Sequence, residues 1–535
     1  MSFGSEAIKL LAQYEVDTIF GIPGVHTIEY YRGITETGMR TVVPRHEQGA
    51  GFMADGYSRI ANKPGVCVLV SGPGVLNAAT PIAQAWHDSI PMLVVAASTE
   101  SSLRGRNRGP LHDVPDQAKF FDQLTYTSTT ATSPEEFAEV IGKTFHSWET
   151  SRPRPVHISV PTDVLEQDTG AIAKFSVQGS APVASTDQIN QVVTALKEAK
   201  KPLIIAGGGA NKAARAIEEI ATIAHVPVMT TGNARGILPD SHPLNVGTLL
   251  PFPATQAMIA DADLVIAIGT EFSDVDIIYT GKRIAKPAKL IRVDIDKDQF
   301  TEAHGGYNAD LGIQSDSLAF ASALASSLKT QTFDTTNTDV LAEIKKVREG
   351  VTWTAQSVSH FPWIDAITAS IPNNTIVSID STQLAYTAHH YMPWSAAGKW
   401  LAPYGLGTLG PALPMALGAR AADATAPILV LAGDGGFMFT IQELATARDM
   451  GGKMVIIIWD NAGYGEIRDS FDRAKASRNG VDVQTFNLVT IARGFGLTAE
   501  RITTPAQLSQ SLNTAFAANT PTVLVVTEPG SPADK

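Results

Sequence analysis

Residues 429–465 read LVLAGDGGFMFTIQELATARDMGGKMVIIIWDNAGYG. An apolar run, Leu429 to Ala432, ends in Gly433-Asp434-Gly435. A helical stretch follows, then a second apolar run through Val455, Ile456, Ile457 and Ile458, then the polar turn Asp460-Asn461-Ala462-Gly463. The 24 residues between Gly435 and Asp460 are about what a crossover helix and a returning parallel strand need. The pattern therefore predicts two parallel strands of one sheet, with Asp434 and Asn461 at their carboxyl ends. Open α/β sheets bind their ligands at that edge.

A carboxylate at Asp434, an amide oxygen at Asn461 and a backbone carbonyl at Gly463, with no His or Cys nearby, suit Mg²⁺ or Ca²⁺ and not zinc. Mg²⁺ commonly completes its octahedron with phosphate oxygens and water, so a phosphorylated ligand is implied. Gly435 and Gly436 let the backbone approach it, and the helix expected after them offers N–H groups to an anion. A G-D-G turn alone ends many strands with a merely structural aspartate. The second apolar strand ending in Asp-Asn makes the pattern specific.

Outward from this stretch, the chain divides into three α/β regions: residues 1–165, 186–325 and 351–535. The first alternates strands with helices and carries strand-end loops at Gly21-Ile22-Pro23-Gly24 and Ser71-Gly72-Pro73-Gly74. Its apolar strands predict a parallel sheet covered on both faces, and the third region repeats the style. In the middle region Gly207-Gly208-Gly209 lacks the G-x-G-x-x-G spacing of a dinucleotide site and reads as a close strand–helix turn. Polar linkers are expected at about 166–186 and 326–339. The fold class is α/β, three doubly wound, mainly parallel sheets.

Composition sets the outer limits. With 535 residues, 44% hydrophobic and 18% charged, disordered and collagen-like classes are excluded. A net charge of −12 argues against nucleic acid or an anionic membrane as partner. A single cysteine, Cys67, excludes an internal disulfide framework and suits a reducing cytoplasm. It sits in an apolar run, so a buried structural role is expected. The first 24 residues read as the start of a helix and not as a signal peptide, and no apolar run approaches the roughly 20 residues that span a bilayer. A soluble, cytoplasmic protein is expected.

Further motifs align with the metal turn. Arg45-His46-Glu47-Gln48-Gly49-Ala50 opens a helix that continues through Ala54-Asp55-Gly56-Tyr57, and Gly405-Leu406-Gly407-Thr408-Leu409-Gly410 precedes the opening stretch. With Ser71-Gly72-Pro73-Gly74 and the G-D-G…D-N pair, these resemble, in order and over nearly the whole chain, the thiamine-diphosphate-dependent enzymes of the acetohydroxyacid synthase and 2-oxo-acid decarboxylase group. The family carries N-N where this chain has Asp460-Asn461. The second position is the metal ligand there, so the departure touches little.

The resemblance implies thiamine diphosphate and Mg²⁺ as cofactors. Asp434, Asn461 and the Gly463 carbonyl would hold the metal. Gln383, Gly407, Leu409, Gly435, Gly436 and Tyr464 would line the cofactor, with Leu409 the bulky side chain that supports its bent conformation. Glu47 would hydrogen-bond N1′ of the aminopyrimidine. Read alone, Glu47 is a carboxylate favoured at a helix N-terminus, Leu409 a core leucine and Gln383 a turn cap. His112 lies where the synthases carry a polar residue beside the reacting carbon. It is either the proton donor that follows CO₂ loss or a loop histidine paired with Asp113. His26, beside a strand-end loop, is a second candidate to reach the substrate. His389-His390 reads as a helix-face pair.

For the substrate, the segments at residues 21–27, 269–274 and 380–383 look most like the 5-guanidino-2-oxopentanoate decarboxylase branch. Synthases of the group usually carry Arg in the segment aligned with Glu271. Benzoylformate decarboxylases have Ser where Val25 stands and a His aligned near Gly72, and both are missing. An acidic patch at Glu271, Asp274 and Asp276 either grips a cationic substrate tail or is a solvated loop. The function expected is non-oxidative decarboxylation of a 2-oxo acid. The alternatives are an acetolactate synthase, a flavin-dependent oxidase, or a cofactor-binding regulatory protein with degenerate chemistry. Nothing in the sequence specifies FAD. In the family, the glutamate-bearing domain of one subunit meets the metal-bearing domain of another, which implies a homodimer at minimum and a homotetramer by common habit.

Overall fold

The structure, a computed structural model, describes residues 1–277, 283–335, 339–483, 486–531 and 533. It holds three six-stranded sheets, and every strand pairing described is parallel. The first comprises β1 (Thr18–Phe20), β2 (Arg40–Val42), β3 (Gly65–Leu69), β4 (Met92–Ser98), β5 (Thr127–Thr130) and β6 (Val156–Pro161), in the order β2-β1-β3-β4-β6-β5. The second comprises β7 (Pro202–Ala206), β8 (Val228–Thr230), β9 (Asn245–Gly247), β10 (Leu264–Ile268), β11 (Leu290–Asp294) and β12 (Leu311–Gln314), in the order β12-β11-β10-β7-β8-β9. The third comprises β13 (Ile376–Ile379), β14 (Trp400–Leu401), β15 (Ile428–Gly433), β16 (Met454–Asp460), β17 (Thr498–Ile502) and β18 (Thr522–Thr527), in the order β14-β13-β15-β16-β18-β17.

The central strands β3, β4, β15 and β16 are buried along their whole length, as continuous Val/Ile/Leu runs require when helices cover both faces. The first and third sheets share one winding order. In each, the chain leaves the second strand of a pair and crosses to the other side, so a crevice opens at the carboxyl ends of β1 and β3, and again at those of β13 and β15. Those two crevices collect the residues singled out from sequence.

By contact the chain forms two compact units. One is Met1–Gly179, Ala369–Ala385 and Leu406–Lys535, with the first and third sheets; the other is Ser180–Thr368 and Tyr386–Gly405, around the second sheet. Within the first unit the helix Glu47–Ala61 crosses the helix Ala412–Ala422 closely enough that glycine is needed on both. A Cβ on Gly56 would strike the Met415 carbonyl, and one on Gly418 the Met53 carbonyl.

Three local expectations are adjusted. Residues 169–185 carry no helix or strand, but the second expected linker is shortened by the helix Ser317–Leu328, and its residues 336–338 lie outside the described ones. The helix expected straight after Asp434 is broken into a single turn, Asp434–Phe437, and the helix Glu443–Met450. The bend between them is held from outside, by Thr440 Oγ1 donating to the Gly410 carbonyl at 2.7 Å. Among the described residues no helix is long and apolar enough to cross a membrane.

Candidate active site

Asp434 directly follows β15 and Asn461 directly follows β16, and the two strands pair in parallel as far as Gly433 and Trp459. Asp434 is 3% exposed. Its carboxylate accepts the Gly463 N–H at 2.8 Å and the Asn461 N–H at 3.4 Å. Ala462 at φ 59° and Gly463 at φ 134° turn the chain back to make those contacts. Burial pushes the Asp434 carboxyl up to about 6. The Asn461 amide nitrogen donates to Gln383 Oε1 at 3.3 Å, and Asn461 Oδ1 is buried with no hydrogen-bond partner among the described residues. An orphaned buried acceptor beside a buried carboxylate costs free energy unless a cation meets both. The Gly463 carbonyl lies 3.4 Å from where a Cβ on Gly435 would stand. One carboxylate, one amide oxygen and one carbonyl make a hard, oxygen-only set, and these residues fit Mg²⁺. No group of three or more His, Cys, Asp or Glu suited to a metal occurs among the described residues, as expected for a set with a single carboxylate.

The remaining cofactor candidates gather around this turn. A Cβ on Gly435 would approach the Tyr464 ring to 2.9 Å, and one on Gly436 would approach Asp380 Oδ1 to 3.0 Å. Gly407 (φ 68°) and Gly410 (φ 87°) shape the loop that presents half-buried Leu409. Asp380, at the end of β13, holds that loop. Its carboxylate accepts the Gly410 N–H at 3.0 Å and the Ser381 N–H at 2.8 Å, and burial pushes it up to about 7. Asp380 opens the segment 380–383 used above for the substrate branch, where it was given no role of its own. Its signal was the one already used for Asp434, a carboxylate closing an apolar strand.

The crevice of the first sheet holds the other set. Glu47 opens its helix and accepts from Asn77 Nδ2 at 3.0 Å. The turn before it is clamped by buried Glu443, whose carboxylate accepts the Arg45 N–H at 2.9 Å. His26 Nδ1 lies 2.6 Å from Ser71 Oγ, bridging the loops after β1 and β3. Its ring meets that of His112 edge-on at 5.2 Å, and burial with His112 nearby lowers its pKa. His112 does not take Asp113 through Nδ1. Asp113 is engaged by Thr99 at 2.6 Å, and His112 Nδ1 is buried without a partner among the described residues. The left-handed backbone of His112 (φ 61°) turns the ring toward His26, with its carbonyl packed on Gly72. Behind them Gln117, which sequence reasoning passed over, accepts the Gly72 N–H at 3.2 Å and donates to the Ala97 carbonyl at 3.1 Å.

Other features have ordinary roles. Asp274 pairs with Arg283 at 2.9 Å, and buried Asp276 accepts the Gly232 N–H at 3.1 Å, so two members of the acidic patch are committed locally. A Cβ on Gly207 would strike the Gly269 carbonyl, which makes the triple glycine a close-packing turn. His390 Nδ1 bonds the Thr248 carbonyl at 2.7 Å, and His389 packs against Trp400 and Tyr404. Cys67 is buried and its thiol pushed up to about 12.

Family models match in order along the chain: Thiamine pyrophosphate enzyme, N-terminal TPP binding domain, over residues 1–120; Thiamine pyrophosphate enzyme, central domain, over 189–324; and Thiamine pyrophosphate enzyme, C-terminal TPP binding domain, over 380–526. The chain is 37% identical over 524 residues to a probable 2-ketoarginine decarboxylase of Pseudomonas aeruginosa, covering 96% of this chain and 92% of that one. It is 31% identical to the acetolactate synthase isozyme 1 large subunit of Escherichia coli, covering 92% and 87%. It is 30% identical to a probable acetolactate synthase large subunit of Methanocaldococcus jannaschii, covering 98% and 92%.

Proposed function

The chain belongs to the thiamine pyrophosphate enzyme family, and on that premise we propose that it catalyses the Mg²⁺-dependent, non-oxidative decarboxylation of 2-ketoarginine, 5-guanidino-2-oxopentanoate. The observation that carries the metal-dependent part is the buried Asn461 Oδ1, without a partner among the described residues, beside buried Asp434. The relative of Pseudomonas aeruginosa supports the substrate. One CO₂ leaves, one proton is taken up at the carbon it vacates, and 4-guanidinobutanal results.

Thiamine diphosphate, when bound, supplies a thiazolium ring that takes up the electron pair released with CO₂. Asp434, Asn461 and the Gly463 carbonyl would hold Mg²⁺, which would neutralise the diphosphate charge. Gly435 and Gly436 would leave room for the cofactor, Gln383 and Tyr464 would flank it, and Gly407 and Leu409 would support it. Glu47 would share a proton with the pyrimidine N1′ of the bound cofactor. His112, with His26 against its ring, hands a proton to the carbon that loses CO₂. Glu47 of one copy serves the metal site of a second, so the working unit is a homodimer, paired into a homotetramer. The single buried Cys67 suits the cytoplasm.

The acetolactate synthase relatives favour a second reading, condensation of two 2-oxo acids. Steady-state assays on pyruvate, benzoylformate and 5-guanidino-2-oxopentanoate, with and without thiamine diphosphate and Mg²⁺, separate the two. The guanidino acid is expected to show the highest kcat/KM and to release CO₂ without oxygen uptake. Acetolactate from pyruvate as the fastest product would overturn the decarboxylase reading. In the same assay His112→Ala is expected to lower turnover by about 10²-fold with cofactor affinity retained. Unchanged turnover removes His112 from the reaction.

A further inference from the structure

The unit built around the second sheet holds a cavity of about 240 Å³ where β8 ends at Thr230 and β9 at Gly247. Ligands of α/β sheets sit at such carboxyl ends. The walls come from residues 230–249, 348–353 and 389–394, all of them within that unit. We propose that this cavity binds a small aliphatic carboxylate, held between the ring of His389 and the guanidinium of Arg235.

The ring of His389 is the sign of a ligand. It lines the cavity, is 2% exposed, and has no hydrogen-bond partner at either nitrogen among the described residues. Trp400 and Tyr404 pack against it, which accounts for its carbons and not for its nitrogens. Burial, with His390 and Arg235 close by, keeps the ring well below its ordinary pKa, so it is neutral and offers one donor and one acceptor. Leaving both unmet in the interior costs free energy that a polar guest in the cavity removes.

Arg235 sets the charge of that guest. It is 5% exposed and lines the same cavity. Its Nη1 donates to the Ala388 carbonyl at 3.0 Å and its Nη2 to the Met392 carbonyl, with the guanidinium 3.8 Å from the centre of the Trp400 ring. Those contacts fix the group without neutralising it, and no carboxylate pairs with it among the described residues. Asp240, on the same walls, is bonded to Arg348 at 3.0 Å. Capping the carbonyls at the end of the helix Gln383–Tyr391 explains a cation at this place, but not a cavity beside it with unmet histidine nitrogens. A buried cation without an anion is costly, so an anion satisfies both residues at once. Leu238, Val351, Trp353 and Trp394 add apolar wall, which suits a short hydrocarbon tail. The volume lies below the roughly 300–1,000 Å³ of pockets for larger ligands, so the acid is small. Arg235 and Arg348 repel a guanidino tail, so the ligand differs from the substrate proposed above.

The test is titration calorimetry and thermal unfolding of the full chain with sodium butyrate and with neutral butyramide. Wild type is expected to bind butyrate saturably, with Tm rising as its concentration does, and about tenfold or more tightly than butyramide. His389→Phe keeps the ring and drops both nitrogens. It is expected to weaken butyrate binding about tenfold or more, with thiamine diphosphate and Mg²⁺ affinities unchanged. His389→Gln, which restores a donor and an acceptor, is expected to recover most of the loss, and Glu47→Gln to bind butyrate as wild type does. Four results each overturn the assignment: no saturable binding of butyrate by wild type, equal binding of acid and amide, unchanged affinity in His389→Phe, or affinity lost in Glu47→Gln. The first two are read on wild type and decide the matter even if His389→Phe does not fold.

Discussion

Asp434 has to be ionised to hold a metal, yet burial favours its proton and raises its carboxyl to about 6. A carboxyl raised above its ordinary value near 4 supports the folded state most fully at low pH, and loses that support as pH climbs through about 6. Above that point the metal-free protein carries a buried, uncompensated charge, which Mg²⁺ removes. Mg²⁺ affinity, followed by titration calorimetry, is therefore expected to fall about tenfold per pH unit below about 6 and to level off above 7. Affinity that stays flat from pH 5 to pH 7 would show that no proton competes at Asp434. At this scale Asp434, Asn461 and Glu47 stood out in the sequence, because a carboxylate or amide that directly follows an apolar strand or opens a helix contrasts with its apolar neighbours. Asp380, Gln117 and Glu443 stood out less. They act through backbone N–H groups of loops far away in sequence, and nothing in their local pattern names those partners.

Among the elements, the crossing of Glu47–Ala61 with Ala412–Ala422 sets where Glu47 stands. Gly56 and Gly418 let the two backbones meet, and a clash with a backbone carbonyl cannot be relieved by a rotamer change. Gly418→Val is expected to cost about 3 kcal/mol or more in urea unfolding, the upper range for overpacking a tight contact. Gly494→Ala, where an added Cβ meets nothing within 4 Å, is the matched control. Equal stability of the two variants would mean that the crossing relaxes freely. The strands were readable because runs such as Leu429–Ala432 and Val455–Ile458 must be buried on both faces. The break in the helix after Asp434 was not, because Thr440 is held by Gly410, thirty residues earlier in the chain.

Over the whole molecule, exposed apolar side chains flank both crevices. Val25 is 65% exposed beside His26, Leu111 64% beside His112, and Ile467 50% beside Glu466. The second copy proposed above would cover these apolar groups. If a second copy covers them, then Glu47→Gln and Asp434→Ala chains, each inactive alone, will regain up to about a quarter of wild-type activity when mixed and allowed to exchange, since half the dimers are mixed and each has one intact site. No recovery under conditions where exchange is seen by mass would place Glu47 and Asp434 of a single chain in one site. By itself the sequence determined the three α/β sheets and the cofactor class, because burial periodicity and motif spacing are properties of residues and their order. Only the tertiary structure decided that the first and third sheets share one unit, that His26 and His112 meet across a crevice, and that Gln383 ties Glu466 and Asp469 to Asn461. Those contacts join residues some 80 positions or more apart, or lie at a point where the winding of a sheet reverses, and such pairings are set by topology and not by local sequence.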